Sequence, residues 1–370
     1  MRHDQNPSPQ LYKLEASKLS VSLGGKKVLE ETSLQILPNE VLCITGPNGS
    51  GKTTLLLSLA LLLKPDAGTV YFNGHSIGNG SSLLNMRRRL AVVFQESLLL
   101  NTTVWDNMTL GMRMRGFTKE EQKDKSNIWL ERFGIASLAK RQARTLSGGE
   151  AKRVSLASAF ALQPEILFLD EPFAALDKPT HEALIEDFES VLNETRITAV
   201  MVTHERDEAW VLSDRVAVLI NGRIRQIGSP KEVFSFPVDE EVADFVKAGN
   251  ILSGVVVSQS SGLASLDVNG QQLDVVSNIE VGTKVAAFMR YEDITVLLPT
   301  QDTASSARNR ISGTVIKFLR LDAQVRVTID CGVLISALIT VRSWEDMRLG
   351  LGSKVLVSFK ASAIHLIPRR

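Results

Sequence analysis

At 370 residues the chain is longer than one ordinary hydrophobic core, so two domains are expected. Hydrophobic residues make up 44% and charged residues 22%, ordinary for a soluble globular protein and not for a fibrous or disordered one. Lys+Arg at 42 against Asp+Glu at 41 leaves a net charge of +1, which excludes a whole-chain basic field for nucleic acid.

Met1 to Pro7 has no apolar signal core, and the longest apolar run, Leu55 to Leu63, is too short to span a bilayer. Cys43 and Cys331 lie in separate apolar runs and read as buried thiols of a reducing compartment, not as a disulfide or metal site. A cytoplasmic chain is expected, one that reaches a membrane only through partners.

Residues 11–45 alternate in the β manner, and Pro38-Asn39-Glu40 is a turn within them. Val41 to Ile44 then leads into Gly46-Pro47-Asn48-Gly49-Ser50-Gly51-Lys52-Thr53, and a helix-like run from Thr54 to Leu62 leads out. This strand–loop–helix fits G-x-x-x-x-G-K-[ST]. Its glycines let the backbone approach a ligand closely, and N–H groups at the helix start face phosphate oxygens. Lys52 is expected on the β- and γ-phosphates, and the Thr53 hydroxyl on Mg²⁺.

After the break at Lys64-Pro65-Asp66-Ala67-Gly68 come strand-like runs Thr69 to Phe72 and Leu90 to Gln95, the latter closing on the polar amide of Gln95. Residues 104–163 are mostly helical in pattern; the basic residues Arg141, Arg144, Lys152 and Arg153 have acidic neighbours and read as a solvated face. Ile166 to Leu169 is a fully apolar strand ending in Asp170 and Glu171. A helix over 182–194, a buried strand Thr198 to Thr203 ending at His204, and a hairpin turning at Asn221-Gly222 follow. Alternating strands and helices predict a mainly parallel α/β sheet with its sites at the carboxyl ends of the strands.

Gln95, Asp170, Glu171 and His204 all fall at such ends, and together they have a chemical logic. Asp170 can hold Mg²⁺ beside Thr53, directly or through water. Glu171 is suited to activate or orient the attacking water as base, His204 to position it, and Gln95 to touch the metal or water. Leu146-Ser147-Gly148-Gly149-Glu150 opens a helix-like stretch and can present N–H groups and a hydroxyl to an anion.

With these motifs in this order, residues 14–240 resemble the ATP-binding subunits of ABC transporters, together with the Ala175-Leu176-Asp177 turn. The resemblance implies a P-loop NTPase cassette, mainly parallel sheet plus helical subdomain, over 11–240, with ATP and Mg²⁺ as cofactors. Gly46 to Thr53, Thr54 and the signature Ser147, Gly148 and Gly149 would bind nucleotide, with Lys52, Gln95, Glu171 and His204 catalytic and Thr53, Gln95 and Asp170 on the metal. It further implies a head-to-tail homodimer on the cytoplasmic face of the membrane, docked on permease subunits and served by an extracytoplasmic binding protein. Two positions depart from the family pattern. Lys152 replaces a Gln, read as tolerated, and Leu23 stands where an aromatic residue usually stacks on adenine.

Beyond a bridging helix and linker at 233–250, short β runs with Gly turns predict an all-β, OB-like domain over 250–370. It repeats internally over 252–298 and 306–368. Leu252-Ser253-Gly254-Val255 echoes Ile311-Ser312-Gly313-Thr314, and Val281-Gly282-Thr283-Lys284-Val285 echoes Leu351-Gly352-Ser353-Lys354-Val355. The first copy resembles the generic regulatory domain of oxyanion, iron, polyamine and sugar importers. The second, through Ser306-Ala307-Arg308-Asn309 and Phe359-Lys360-Ala361-Ser362-Ala363, resembles the molybdate-binding Mop domain. That implies a molybdate or tungstate importer, with Ser306, Arg308, Lys360 and Ser362 on the oxyanion and Glu292 and Asp293 excluding it from the first copy. Import of sulfate, ferric iron, polyamine or sugar is the alternative within the class, and a soluble non-transport ABC protein the alternative outside it.

Overall fold

The computed structural model describes residues 12–77, 81–246, 249–299 and 305–369. The stretch Met1 to Pro7, and most of the linker expected between the repeats, lie outside these. The chain divides into two units, Met1–Val233 and Phe234–Arg370.

The first unit runs β1 (Leu14–Leu23), β2 (Lys26–Ile36), β3 (Val41–Thr45), α1 (Lys52–Leu59), β4 (Ala67–Phe72), β5 (His75–Ser76), α2 (Ser81–Arg87) and β6 (Leu90–Val93). It continues through α3 (Val104–Met114), α4 (Lys119–Arg132), α5 (Gly148–Ala161), β7 (Ile166–Asp170), α6 (Lys178–Thr195), β8 (Thr198–Val202), α7 (Arg206–Leu212), β9 (Arg215–Ile220) and β10 (Arg223–Gly228). The central sheet has the order β10-β9-β3-β8-β7-β6. Pairing is parallel throughout except for the hairpin β9–β10. Every residue of β3, β7 and β8 is buried, as apolar strands covered on both faces must be. The alternating segments at the start form a separate antiparallel sheet, β2-β1-β4-β5, which the alternation alone did not distinguish from the main one. Both sheets share one core with α1, in which Leu34, Leu42, Leu56 and Phe168 are buried.

Helices α4 and α5 pack through aromatic contacts, with Trp129 stacked on Phe160 at 4.7 Å, while Met108 of α3 meets Ser158 of α5. Capping boxes start α4 at Thr118 and α5 at Ser147. Arg141 and Arg144 are exposed as the solvated face requires, but Lys152 and Arg153 turn away from it. Lys152 is 6% exposed, and Arg153 pairs with Asp187 while also donating to the Phe133 carbonyl. Lys152 sits three residues after buried Gly149 and four before buried Leu156, so helix periodicity turns it inward.

Helices α8 (Pro230–Ser235) and α9 (Glu240–Val246) precede the β region. There the first repeat gives β11 (Gly249–Ser260), β12 (Leu263–Val268), β13 (Gln271–Val276), β14 (Lys284–Arg290) and β15 (Thr295–Leu297). The second gives β16 (Asn309–Leu321), β17 (Gln324–Asp330), β18 (Leu334–Thr340), α10 (Val341–Asp346), β19 (Lys354–Phe359) and β20 (Ile364–Pro368). The sheets are β13-β12-β11-β14-β20 and β15-β19-β16-β17-β18. Each repeat therefore lends its last strand to the other, with Ala287 opposite Leu366 and Val296 opposite Val357. One core holds residues of both repeats, among them Leu266, Val296, Val327 and Leu366.

Equivalent asparagines lock this exchange. Asn250 is buried and its side-chain amide makes two hydrogen bonds with the Ser336 peptide, at 2.9 and 2.7 Å. Asn309, two residues before the matching repeat word, does the same to Asp274, at 2.8 and 2.7 Å. Both cysteines are buried; burial pushes the Cys331 thiol up to about 11 and the Cys43 thiol up further.

Candidate active site and a second cavity

Strand β3 runs out into the Gly-rich loop, and α1 begins at Lys52 with Gly51 as its N-cap. The first N–H groups of α1 have no carbonyl within the helix to bond. Gly46 is required by space, since a Cβ there would lie 2.0 Å from the Leu219 carbonyl oxygen. The Lys52 ammonium folds back onto the loop, donating to the carbonyls of Gly46 at 2.9 Å and Pro47 at 3.1 Å. Its pKa is lowered by burial, against the attraction of Glu171 and Asp170. The buried Ser50 hydroxyl has no hydrogen-bond partner among the described residues. A loop with spare N–H groups, a cation and an unsatisfied buried hydroxyl suits a phosphate chain. Thr54 is buried in the first turn of α1.

The strand ends bring the predicted residues together. Thr53 Oγ1 donates to Asp170 Oδ1 at 3.1 Å. Burial raises the Asp170 pKa; the Thr53 hydrogen bond and Lys52 lower it, and Glu171 adds to the rise. A hydroxyl beside one carboxylate matches how Mg²⁺ is usually held, by one or two protein oxygens plus substrate phosphates. Glu171 has a φ of 44°, in the left-handed region, so its carboxylate is aimed by a strained turn. Its Oε2 accepts from Gln95 Nε2 at 3.1 Å, and its Oε1 faces His204 Nδ1 at 3.2 Å. The other ring nitrogen of His204 faces Glu205 Oε1 at 3.3 Å.

Behind this carboxylate lies a cavity of about 300 Å³, lined by Phe173, His181, Thr203, His204 and Glu208 among others. Glu208 is 2% exposed and accepts from Thr203 Oγ1 at 2.5 Å, with His181 Nε2 at 2.8 Å. It anchors the residue before His204 to α6. Sequence reasoning passed over it, although a carboxylate one turn into α7, directly after the catalytic strand, was the available signal.

Ser147 is the exposed N-cap of α5, its hydroxyl accepting from the Glu150 N–H at 3.3 Å. Gly148 is exposed, whereas Gly149 is buried; a Cβ there would sit 2.5 Å from Thr180 Cγ2. Gly149 thus has a packing reason of its own. Leu23 ends β1 and is 47% exposed.

In the second unit, a cavity of about 550 Å³ is lined by Ser306, Lys360, Ser362 and Arg310, together with Asp293 and Thr295. Three of the predicted oxyanion residues are therefore brought together. Arg308 is not among the lining residues: its Nε donates to Asp274 at 2.8 Å. Asp293, expected to act only in the first copy, lines the second copy's cavity, because β15 pairs with β19. The Ala363 N–H donates to the Lys360 carbonyl at 3.0 Å.

Residues 29–174 match the ABC transporter family and residues 305–366 the TOBE domain. The chain is 38% identical, over 91% of its length and 95% of the relative's, to a molybdate/tungstate import ATP-binding protein of Pyrococcus abyssi. It is 37% identical, over 68% of its length and 72% of the relative's, to an Fe(3+) ions import ATP-binding protein of Streptomyces coelicolor. Among solved structures it resembles CbiO1 of Clostridium perfringens, part of the ABC transporter complex CbiONQ, with a TM-score of 0.57 and 30% identity. That similarity covers 64% of this chain and 94% of the other.

Proposed function

This chain belongs to the ABC transporter family as an ATP-hydrolysing import subunit, and from that premise we propose that its ATPase drives uptake of molybdate or tungstate. One observation carries the substrate: the near full-length similarity to an importer of those anions. The cavity bearing Lys360 and Ser362 supports it, since charged and hydroxyl donors suit a tetrahedral dianion.

In this reading the Gly46–Thr53 loop holds the phosphates of ATP through its N–H groups and Lys52. Thr53 and Asp170 would hold Mg²⁺, with Gln95 beside them; the ion would neutralise charge developing on the phosphates. Glu171 takes the proton of the attacking water, and Gln95 and His204 orient the carboxylate for that transfer. Ser147 and Gly149 of a second copy close over the γ-phosphate. Among the described residues no helix is long and apolar enough to cross a membrane. The homologues are named as import subunits, so permease subunits are the partners, with this chain bound at their cytoplasmic face and an extracytoplasmic binding protein delivering the anion.

The test is copurification with the permease, followed by ATP-driven uptake in the reconstituted complex. Molybdate and tungstate should compete with each other, and sulfate only weakly. Uptake of ferric iron, a polyamine or a sugar, with no response to either oxyanion, would overturn the substrate.

A further inference from the structure

We propose that Lys152 is a positioning residue for ATP hydrolysis, holding Gln95 where its amide meets Glu171; this rests on the roles given above to Gln95 and Glu171. Lys152 lies in the second turn of α5, the helix that starts at Ser147. Its side chain is buried, and its ammonium donates to the main-chain carbonyl of Gln95. Gln95 lies beyond the end of β6, outside regular structure, so no strand pairing fixes its backbone. Lys152 supplies the anchor. From that anchored backbone Gln95 Nε2 reaches Glu171 Oε2 at 3.1 Å.

An ammonium is costly to bury, and a bland inward-facing residue would be Gln or Met. Burial lowers the Lys152 pKa, and attraction to Glu171 opposes that shift. The contact is made with the backbone of Gln95 and not with its amide. Substituting the Gln95 side chain therefore leaves the anchor intact but gives it nothing to position. Ser147 and Lys152 share a helix, so movement at the exposed signature end is carried to the same chain's Gln95.

A double-mutant cycle on the full-length protein tests this, reading steady-state ATPase and binding of a fluorescent ATP analogue. Lys152→Met should lower kcat about tenfold or more, since displacements near 1 Å at a reacting centre cost up to about a hundredfold. ATP affinity should change less than twofold, because Lys152 does not touch the nucleotide loop. Gln95→Ala should lower kcat similarly, and adding Lys152→Met to it should cost nothing further. Should Lys152→Met fail to bind the analogue, Lys152→Gln, which keeps the polarity and removes the charge, is put through the same cycle on the same criteria. A double variant slowed by the product of the single effects, or a Lys152 variant with wild-type kcat, overturns the positioning role alone. Gln95→Ala at the wild-type rate overturns the underlying reading of Gln95 as well.

Discussion

In the first unit, Thr53, Gln95, Asp170, Glu171 and His204 come from four separate places in the chain, yet each is delivered by its own element. Parallel pairing sets β6, β7 and β8 side by side, and their carboxyl ends converge on the start of α1. In the second unit Lys360 and Ser362 share one turn, but their neighbour Asp293 belongs to the other repeat. The first site is assembled by strands that stay within their own sheet order. The second is assembled by strands that change sheets. A motif predicts its neighbours in the first case and misassigns them in the second.

The largest test falls on the first site. Glu171→Gln should slow hydrolysis by about 10²–10⁴-fold, the usual loss when a positioned base is removed. ATP binding should persist, because Lys52, Thr53 and Asp170 are untouched. The variant should accumulate as a closed dimer with ATP, seen by size-exclusion chromatography. Ser147→Arg should abolish that dimer, since it places bulk at the exposed N-cap of α5. Near-wild-type turnover in Glu171→Gln would break the assignment.

The second site is probed by a contrast between two cations. Lys360 lines the cavity, whereas Arg308 is spent on Asp274. Charged hydrogen bonds contribute about 1.5–3 kcal/mol each. Lys360→Ala should therefore weaken molybdate binding by calorimetry roughly 10- to 100-fold, and Arg308→Ala less than twofold. The reverse order would mean that the Arg308–Asp274 pair opens to take the anion. Asp293→Asn should tighten binding, because it removes a negative charge from the cavity wall.

How legible these regions were follows from the same contrast. The Gly-rich loop, the Asp170–Glu171 strand and His204 could be read because local sequence dictates their strand–turn context. Lys152 was misread because a charge run was weighed before helix phase, although Gly149 and Leu156 mark its inward face. The repeat was visible, since both copies keep the same Gly and hydrophobic spacing. The exchange of β15 and β20 was not, because swapped and unswapped pairing bury the same alternating side chains.

Breaking the exchange should cost less than breaking either site. Asn309→Ala would leave the N–H and carbonyl of Asp274 without their buried partner, as Asn250→Ala would for Ser336. Each should destabilise the second unit by about 1–3 kcal/mol, the cost of orphaned buried polar groups. Thermal unfolding of the full-length protein should show this as a lowered midpoint for the second unit's transition. If the clamps act as a symmetric pair on one core, the double variant should be non-additive. Strict additivity would show that the two halves melt independently despite sharing strands.

The smallest expected effect belongs to the edge of the nucleotide face. Leu23 ends β1 half exposed and offers a base apolar contact but no π face. GTP should therefore be hydrolysed within a few-fold of ATP. Base–aromatic stacking contributes roughly 1–3 kcal/mol, and an exposed position should return the low end of that range. Leu23→Tyr should thus tighten ATP binding by about fivefold, read as a lower KM with kcat unchanged, because the ring touches the base and not the γ-phosphate. Purine selectivity should stay weak in the variant as well, since a stacked ring reads a π face and not its edge. If the wild type already strongly prefers ATP and Leu23→Tyr changes nothing, another residue such as Tyr12 stacks on the base, and Tyr12→Ala should then raise KM where Leu23→Tyr did not lower it.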